Sequence, residues 1–190
     1  MNTNVKTAAS VAVQSMADCD DLAVQNFVSK VPVHDLLFLD RDIREPKVLA
    51  AWRKAIDQGV VHSLVAVADG EIVATTAVIR DPLSWSAHVA DVRLLVLPES
   101  RGKGVGRALL EASIEHAIEK GATKLTARMT PDQRGAITLF EESGFRGEAL
   151  LRDQVRDTNG ELHDIAVLSL DVSRDVSRRE AFSDSTGLLG

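Results

Sequence analysis

The sequence predicts a single α/β domain, and three observations carry that prediction. An apolar run, Leu94-Leu95-Val96-Leu97, leads through a glycine-rich turn into a helical pattern that begins near Gly104. Two pairs of apolar runs flank the turn signals Asp69-Gly70 and Asp157-Thr158-Asn159-Gly160, as hairpins require. Periodic segments bracketed by helix starts and stops supply the helices.

In chain order, residues 9–14 alternate weakly and predict a first strand, and Asp18 or Asp20 offers an N-cap for a helix to residue 29. The stretch 31–44 is less regular, with one helical turn expected over 35–39. Pro46 in a first turn and Gly59 beyond the end bracket a helix over 45–58. Residues 60–68 and 71–80 form the first hairpin, Pro82 breaks the chain, and 86–97 is the next strand. A helix over 104–120 stops at Gly121. A strand over 123–129, a helix over 131–142 and a closing hairpin, 145–156 with 161–172, complete the domain. Thus residues 1–172 form one domain, and 173–190, rich in Ser, Asp and Arg, read as a mobile tail.

Composition narrows the function classes. The 190 residues are 45% hydrophobic and 26% charged, ordinary for a globular protein with a real core. A net charge of -6 argues against general nucleic-acid binding. No apolar run approaches the roughly 18 residues of a membrane span, and residues 1–10 lack a secretory pattern. The single cysteine, Cys19, cannot form an internal disulfide, which suits the cytoplasm. Its early place on the first helix suggests a core role rather than a nucleophile.

The turn after Leu97 is where chemistry concentrates. Gly102, Gly104 and Gly106 alternate, so successive backbone N–H groups can converge on an anion with no Cβ in the way. The following helix N-terminus reinforces that preference. Arg101, Lys103 and Arg107 make a local basic spot on an acidic chain. A P-loop would need Ser or Thr after its lysine, but Gly104 follows Lys103. A dinucleotide fold would need an acidic residue at the end of the next strand, and residues 124–129 carry no carboxylate.

The spacing that fits is Arg-x-x-Gly-x-Gly at Arg101, Gly104 and Gly106. It resembles the coenzyme A loop of the GNAT superfamily of N-acetyltransferases. Residues 136–145, a short helix ending in Gly144-Phe145, resemble the family's second signature, and the element order from about residue 10 to 172 also agrees. The resemblance implies a mixed, mostly antiparallel, V-shaped sheet of six or seven strands flanked by about four helices. It implies acetyl-CoA as cosubstrate, with Leu94, Leu95 and Val96 along the pantetheine. Gly102, Lys103, Gly104, Val105, Gly106 and Arg107 would hold the pyrophosphate, with Arg101 beside them. Gln133 stands where relatives place a cofactor-touching asparagine, and Phe140 also falls at the cofactor.

The implied reaction is direct attack of an amine on the thioester in a ternary complex. Relatives commonly use a tyrosine as acid where this chain has Phe140, and it contains no tyrosine. Those that acetylate protein N-termini often carry a glutamate base where this chain has Arg128. A lysine amine of pKa about 10.4 is neutral at pH 7 about 1 time in 2,500, a handicap of roughly 4.6 kcal/mol. An α-amine near pKa 8 loses only about 1.4 kcal/mol, so without a base a low-pKa amine is the better acceptor. Asp91 and His88, on the strand leading to the loop, are the candidate acid-base residues, with Glu99 and Ser143 weaker. Equally, Asp91 could pair with Arg93 and His88 could sit at a strand edge. The alternative function is a non-catalytic acyl-CoA sensor or interaction module.

The expected partner is an amine on a small molecule or a protein, with no nucleic acid and no membrane, and the closing hairpin could carry a homodimer interface. Trp85 could wall the acceptor pocket or pack a loop on the core, whereas Trp52 reads as core or rim. His163 and Asp164, adjacent on a strand, face opposite sides. His62, His88 and His163 lack metal-ligand spacing, so no metal is expected. Arg146, Arg152 and Arg156 could face the acceptor mouth and attract acidic groups, but read rather as a solvated hairpin face.

Overall fold

The computed structural model describes residues 11–172, so the first ten residues and the expected tail at 173–190 lie outside the described part. The helices begin where local chemistry sets them. α1 (Asp21–Lys30) is capped by Asp20, whose carboxylate accepts the Ala23 N–H at 2.7 Å. α2 (Pro46–Asp57) starts on its proline and stops at Gly59, φ +69°. α3 (Val105–Glu119) follows Gly104, and α4 (Arg134–Glu142) ends before Gly144.

Eight strands form one sheet: β1 (Ala12–Ser15), β2 (Val61–His62), β3 (Leu64–Ala68), β4 (Glu71–Ile79), β5 (Val89–Val96), β6 (Lys124–Met129), β7 (Arg146–Arg156) and β8 (Leu162–Asp171). The order is β1-β3-β4-β5-β6-β8-β7, with β2 also pairing with β4. Every pairing is antiparallel except β5 with β6. The count exceeds the six or seven expected because Ser63 divides the predicted strand 60–68. Ser63 is buried; its carbonyl accepts the Met16 N–H, and its hydroxyl accepts from the Trp52 indole at 3.2 Å.

Two other boundaries move for local reasons. Residues 81–88 form successive turns, with Ala87 N–H donating to Ser84 and Val89 N–H to Ser86, so β5 starts at Val89 rather than 86. α4 starts at Arg134 rather than 131 because Gln133 closes a turn on Thr130: its backbone N–H donates to Thr130 C=O, and its side-chain oxygen accepts the Thr130 N–H. β7 carries irregularities beside Gly147 and Val155, with Asp153 at φ +51°.

The central strands are covered on both faces, whereas β1 and β7 at the edges are largely exposed. α1 and α2 cover one face, where Val24, Phe27 and Val28 meet Val65, Ala77 and Leu95. α3 and α4 cover the other, where Leu110, Ala117 and Phe140 meet Val92, Leu125 and Ala127. Cys19 is buried in the first cluster. Among the described residues, no helix is long and apolar enough to cross a membrane.

Candidate functional site

β5 and β6 pair only over Val89–Lys124, Ala90–Leu125 and Asp91–Thr126. Beyond that rung β5 stays with β4 through Val96, and β6 stays with β8 through Met129, so the sheet opens between them. The hydrogen-bond phase of β5 fixes what faces the opening. Leu97 N–H donates to Val73 C=O at 2.9 Å, so alternate residues Leu95 and Arg93 bond towards β4. The N–H and C=O groups of Leu94 and Val96 therefore point away from β4, into the gap. The Arg101 guanidinium donates to Val96 C=O there at 3.1 Å. A ligand with amide groups could pair with Leu94 and the Val96 N–H, which a complete sheet would consume.

A cleft of about 680 Å³ occupies this opening, lined by Leu94, Leu95 and Val96, by the glycine loop, and by Asp132, Gln133 and Leu139 across it. Gly102 and Gly104 have φ +70° and +80°, left-handed conformations that favour glycine although an added Cβ would meet nothing within 4 Å. Gly106 serves differently: a Cβ there would lie 3.2 Å from Leu139 and 3.3 Å from Val96, so its lack of a side chain lets α3 approach both cleft walls. The first bond of α3 is Ala108 N–H to Gly104 C=O, which leaves the N–H groups of the preceding turn for an anion.

The loop's charges are partly engaged. Arg101 donates to Asp35 at 2.5 Å, and Arg107 pairs with Glu142. Lys103 is exposed. Val105 is buried, so only its backbone can serve a ligand. Gln133 lines the cleft, and its amide donates to Asp35 at 3.4 Å. Phe140 does not line it: the ring is 2% exposed and packs edge-on against Phe145, with centroids 5.0 Å apart. The position that resemblance assigns to the cofactor is thus filled by an apolar side chain turned into the core.

On the α1–α2 face a second cavity, about 280 Å³, is lined by Leu39, Asp40, Arg41, Trp52, Arg93 and Leu95, among others. Leu95 borders both cavities, so they meet at β5. Arg93 joins Asp91 and Asp40, at 2.8 Å each, and Arg128 approaches Asp40 at 3.7 Å. Burial opposes the Arg93 charge, but these two carboxylates outweigh it and raise its pKa. Asp91 also accepts from Thr126 at 3.3 Å. Its carboxylate is therefore committed to the strand pair. His88 is exposed at the start of β5, where its carbonyl accepts from Thr123 and Lys124, and it lines neither cavity.

The groups that sequence reasoning passed over lie in the irregular stretch between α1 and α2. A 3-10 turn (Val33–Leu36) places His34 2.7 Å from Asp132 and 3.5 Å from Thr130. Burial opposes ionisation of Asp132, yet hydrogen bonds from Thr130 and His34 outweigh it and lower its pKa. The pair is 98 residues apart in sequence, so no periodicity announces it. The signal available was a long irregular segment carrying His34, Asp35 and Asp40.

Elsewhere, Trp85 is fully exposed and neither walls a pocket nor packs on the core. His163 pairs with Asp157 at 3.0 Å while Asp164 accepts from the Asp153 N–H, so the neighbours do face apart. Asp157, Glu161 and His163 bring ligand-type atoms within 4.8 Å of one another at the hairpin tip. Arg152 and Arg156 are exposed, and Arg146 donates to the Glu141 and Phe145 carbonyls, closing the end of α4.

The chain is similar to several known proteins. N-acetyltransferase 8 of Rattus norvegicus is 32% identical over 131 residues, 67% of this chain and 54% of that protein. The [Ribosomal protein bS18]-alanine N-acetyltransferase of Escherichia coli (strain K12) is 30% identical over 80 residues, 42% of this chain and 53% of that one. The chain thus spans about half the length of these curated relatives. The structure of yncA from Salmonella typhimurium, with its cofactor acetyl-CoA, superposes with a TM-score of 0.67 at 21% identity, covering 85% of this chain and 94% of that one. Residues 31–145, which contain the irregular segment, the glycine loop and α4, match the model of the Acetyltransferase (GNAT) family, and the chain belongs to that family.

Proposed function

We propose that the protein moves an acetyl group from acetyl-CoA to an amine by direct attack in a ternary complex. The observation that carries this reading is the opening between β5 and β6 beside the glycine loop, meeting the second cavity at Leu95. Leu94 and Val96 would bond the amides of the pantetheine. Gly102 to Arg107 would hold the pyrophosphate, against backbone N–H groups and the basic side chains. The amine would enter from the α1–α2 face, and a backbone N–H on β5 would stabilise the oxyanion as it forms.

Asp40, Arg41 and Arg93 line the second cavity, and Asp91 and Arg128 pair with that cluster from beside it. Three arginines stand against two carboxylates there, so this cluster does not select a polycation. The relatives include enzymes named for a ribosomal-protein alanine and for streptothricin, and both a protein N-terminus and a small-molecule amine are candidate acceptors.

Calorimetry with acetyl-CoA, then thiol release with a panel of amines, tests the reading. Binding that is lost in Gly104→Glu, with turnover of at least one amine, is the expected result. Binding with no turnover of any amine would leave the sensor alternative standing.

A further inference from the structure

We infer that His34, oriented by Asp132, is the base that takes the proton from the acceptor amine. This rests on the acetyl-transfer reading and supplies the base that the Arg128 position lacks.

Position is the first argument. The turn carrying His34 spans the opening between β5 and β6. Its neighbour Asp35 bonds Arg101, after β5, and Gln133, after β6. Asp35 and Asp132 both line the cleft, so His34 is held between two cleft residues. Thr130, 3.5 Å away, continues the face of β6 that carries Thr126 and Arg128. That is the face from which the amine would arrive.

Orientation is the second. An ionised carboxylate can only accept, so the hydrogen bond to Asp132 requires the proton on His34 Nε2. Nδ1 then carries the lone pair. The ring is 40% exposed; it lines neither cavity itself but stands beside Asp35 and Asp132, which line the cleft. A carboxylate partner also stabilises the imidazolium once it forms, and an imidazole nitrogen can take up a proton and release it again.

Exclusion is the third. Asp91 is tied to Arg93 and Thr126, and Asp40 lies between Arg93 and Arg128. Arg128 is a permanent cation. The charged and titratable groups around His34 are few: Asp132 before α4, Asp35 on its own turn with Arg101, and His163 on β8 with Asp157. His163 meets His34 edge-on with centroids 5.4 Å apart, and Asp157 holds it from the other side.

In the step, the acceptor ammonium gives one proton to Nδ1 of His34. The neutral nitrogen forms the C–N bond at the thioester carbonyl carbon, the C–S bond breaks, and sulfur leaves with the electron pair. The nitrogen's second proton passes to the thiolate, and the imidazolium returns the first to solvent.

The test uses His34→Gln, which can still donate to Asp132 but takes up no proton, together with His34→Ala and Asp132→Asn. For an acceptor turned over by the unsubstituted protein, kcat/KM should fall on the order of 100-fold in His34→Gln. Acetyl-CoA binding by calorimetry should be unchanged, and the acid limb of the pH profile should shift to that set by ionisation of the acceptor amine alone. Added imidazole should restore part of the turnover of His34→Ala. Asp132→Asn should lose less and keep an acid limb. Unaltered kcat/KM and pH profile in His34→Gln overturns the assignment. So does a loss traced entirely to weaker acetyl-CoA binding, which would make His34 a strap. If the unsubstituted protein binds acetyl-CoA but turns over no amine, the acetyl-transfer reading fails and this assignment fails with it.

Discussion

Thr126 on β6 and Asp91 on β5 form the last rung of the parallel β5–β6 ladder, and the Thr126 hydroxyl donates to the Asp91 carboxylate at 3.3 Å. The two strands part immediately beyond them. Asp91 is also held by Arg93, which in turn reaches Asp40 on the α1–α2 segment. The apex of the opening is therefore pinned by side chains as well as by backbone, and the pin extends to the segment that lines the second cavity.

Gly104→Ala should fold but lose about 1–2 kcal/mol of stability, read by urea denaturation. Nothing lies within 4 Å of the added methyl, so the cost comes from φ +80° alone. Unchanged stability would show that the loop relaxes to another conformation.

Glu142→Gln should bind acetyl-CoA more tightly, by up to about fivefold, equivalent to about 1 kcal/mol. It releases Arg107, whose side chain is half exposed beside the cleft and now pairs with that carboxylate. The gain should vanish in high salt, and thermal stability should hardly move, because an exposed pair contributes little. Calorimetry at two ionic strengths checks both points.

Phe140→Tyr should not improve turnover. The ring is 2% exposed against Phe145 in an apolar cluster, so the new hydroxyl would lack a partner and cost about 1–3 kcal/mol. A rise in thiol release with retained stability would show that the ring can turn into the cleft.

Stability should fall as pH drops below about 6.5, before any carboxylate effect. His62 on β2 and His116 on α3 stack with centroids 3.5 Å apart. Burial is the main cause that lowers the pKa of both; the His116 charge and then Lys120 lower His62 further, and Lys120 lowers His116 further against the opposing Glu119. In the window between the depressed native values and 6.5, the unfolded chain binds more protons, so stability rises with pH there and is fully present above it. Asp42, Asp132, Glu148 and Asp157 also have lowered pKa values, but their contributions are lost only as pH falls from about 4. Replacing either histidine by Gln should flatten the slope between pH 7 and 5 in thermal melts.

Local signals made much of the domain legible. Asp20, Pro46, Gly59, Gly104 and Gly121 mark helix boundaries because they act within one turn, and the Asp69-Gly70 and Asn159-Gly160 turns announce their hairpins. The errors are local too. Ser63, Gln133 and the turns over 81–88 shift boundaries through hydrogen bonds whose partners the linear pattern does not reveal.

By itself the sequence determined the element order, the glycine-rich turn and the family resemblance, because glycine spacing and apolar periodicity are properties of neighbouring residues. Tertiary structure alone decided which side chains meet. His34 reaches Asp132, Arg101 reaches Asp35, and Arg93 reaches Asp40, across 98, 66 and 53 positions. Such pairs form where the sheet opens and an irregular segment crosses it, and a carboxylate's partner is set by that geometry rather than by any repeat in the chain.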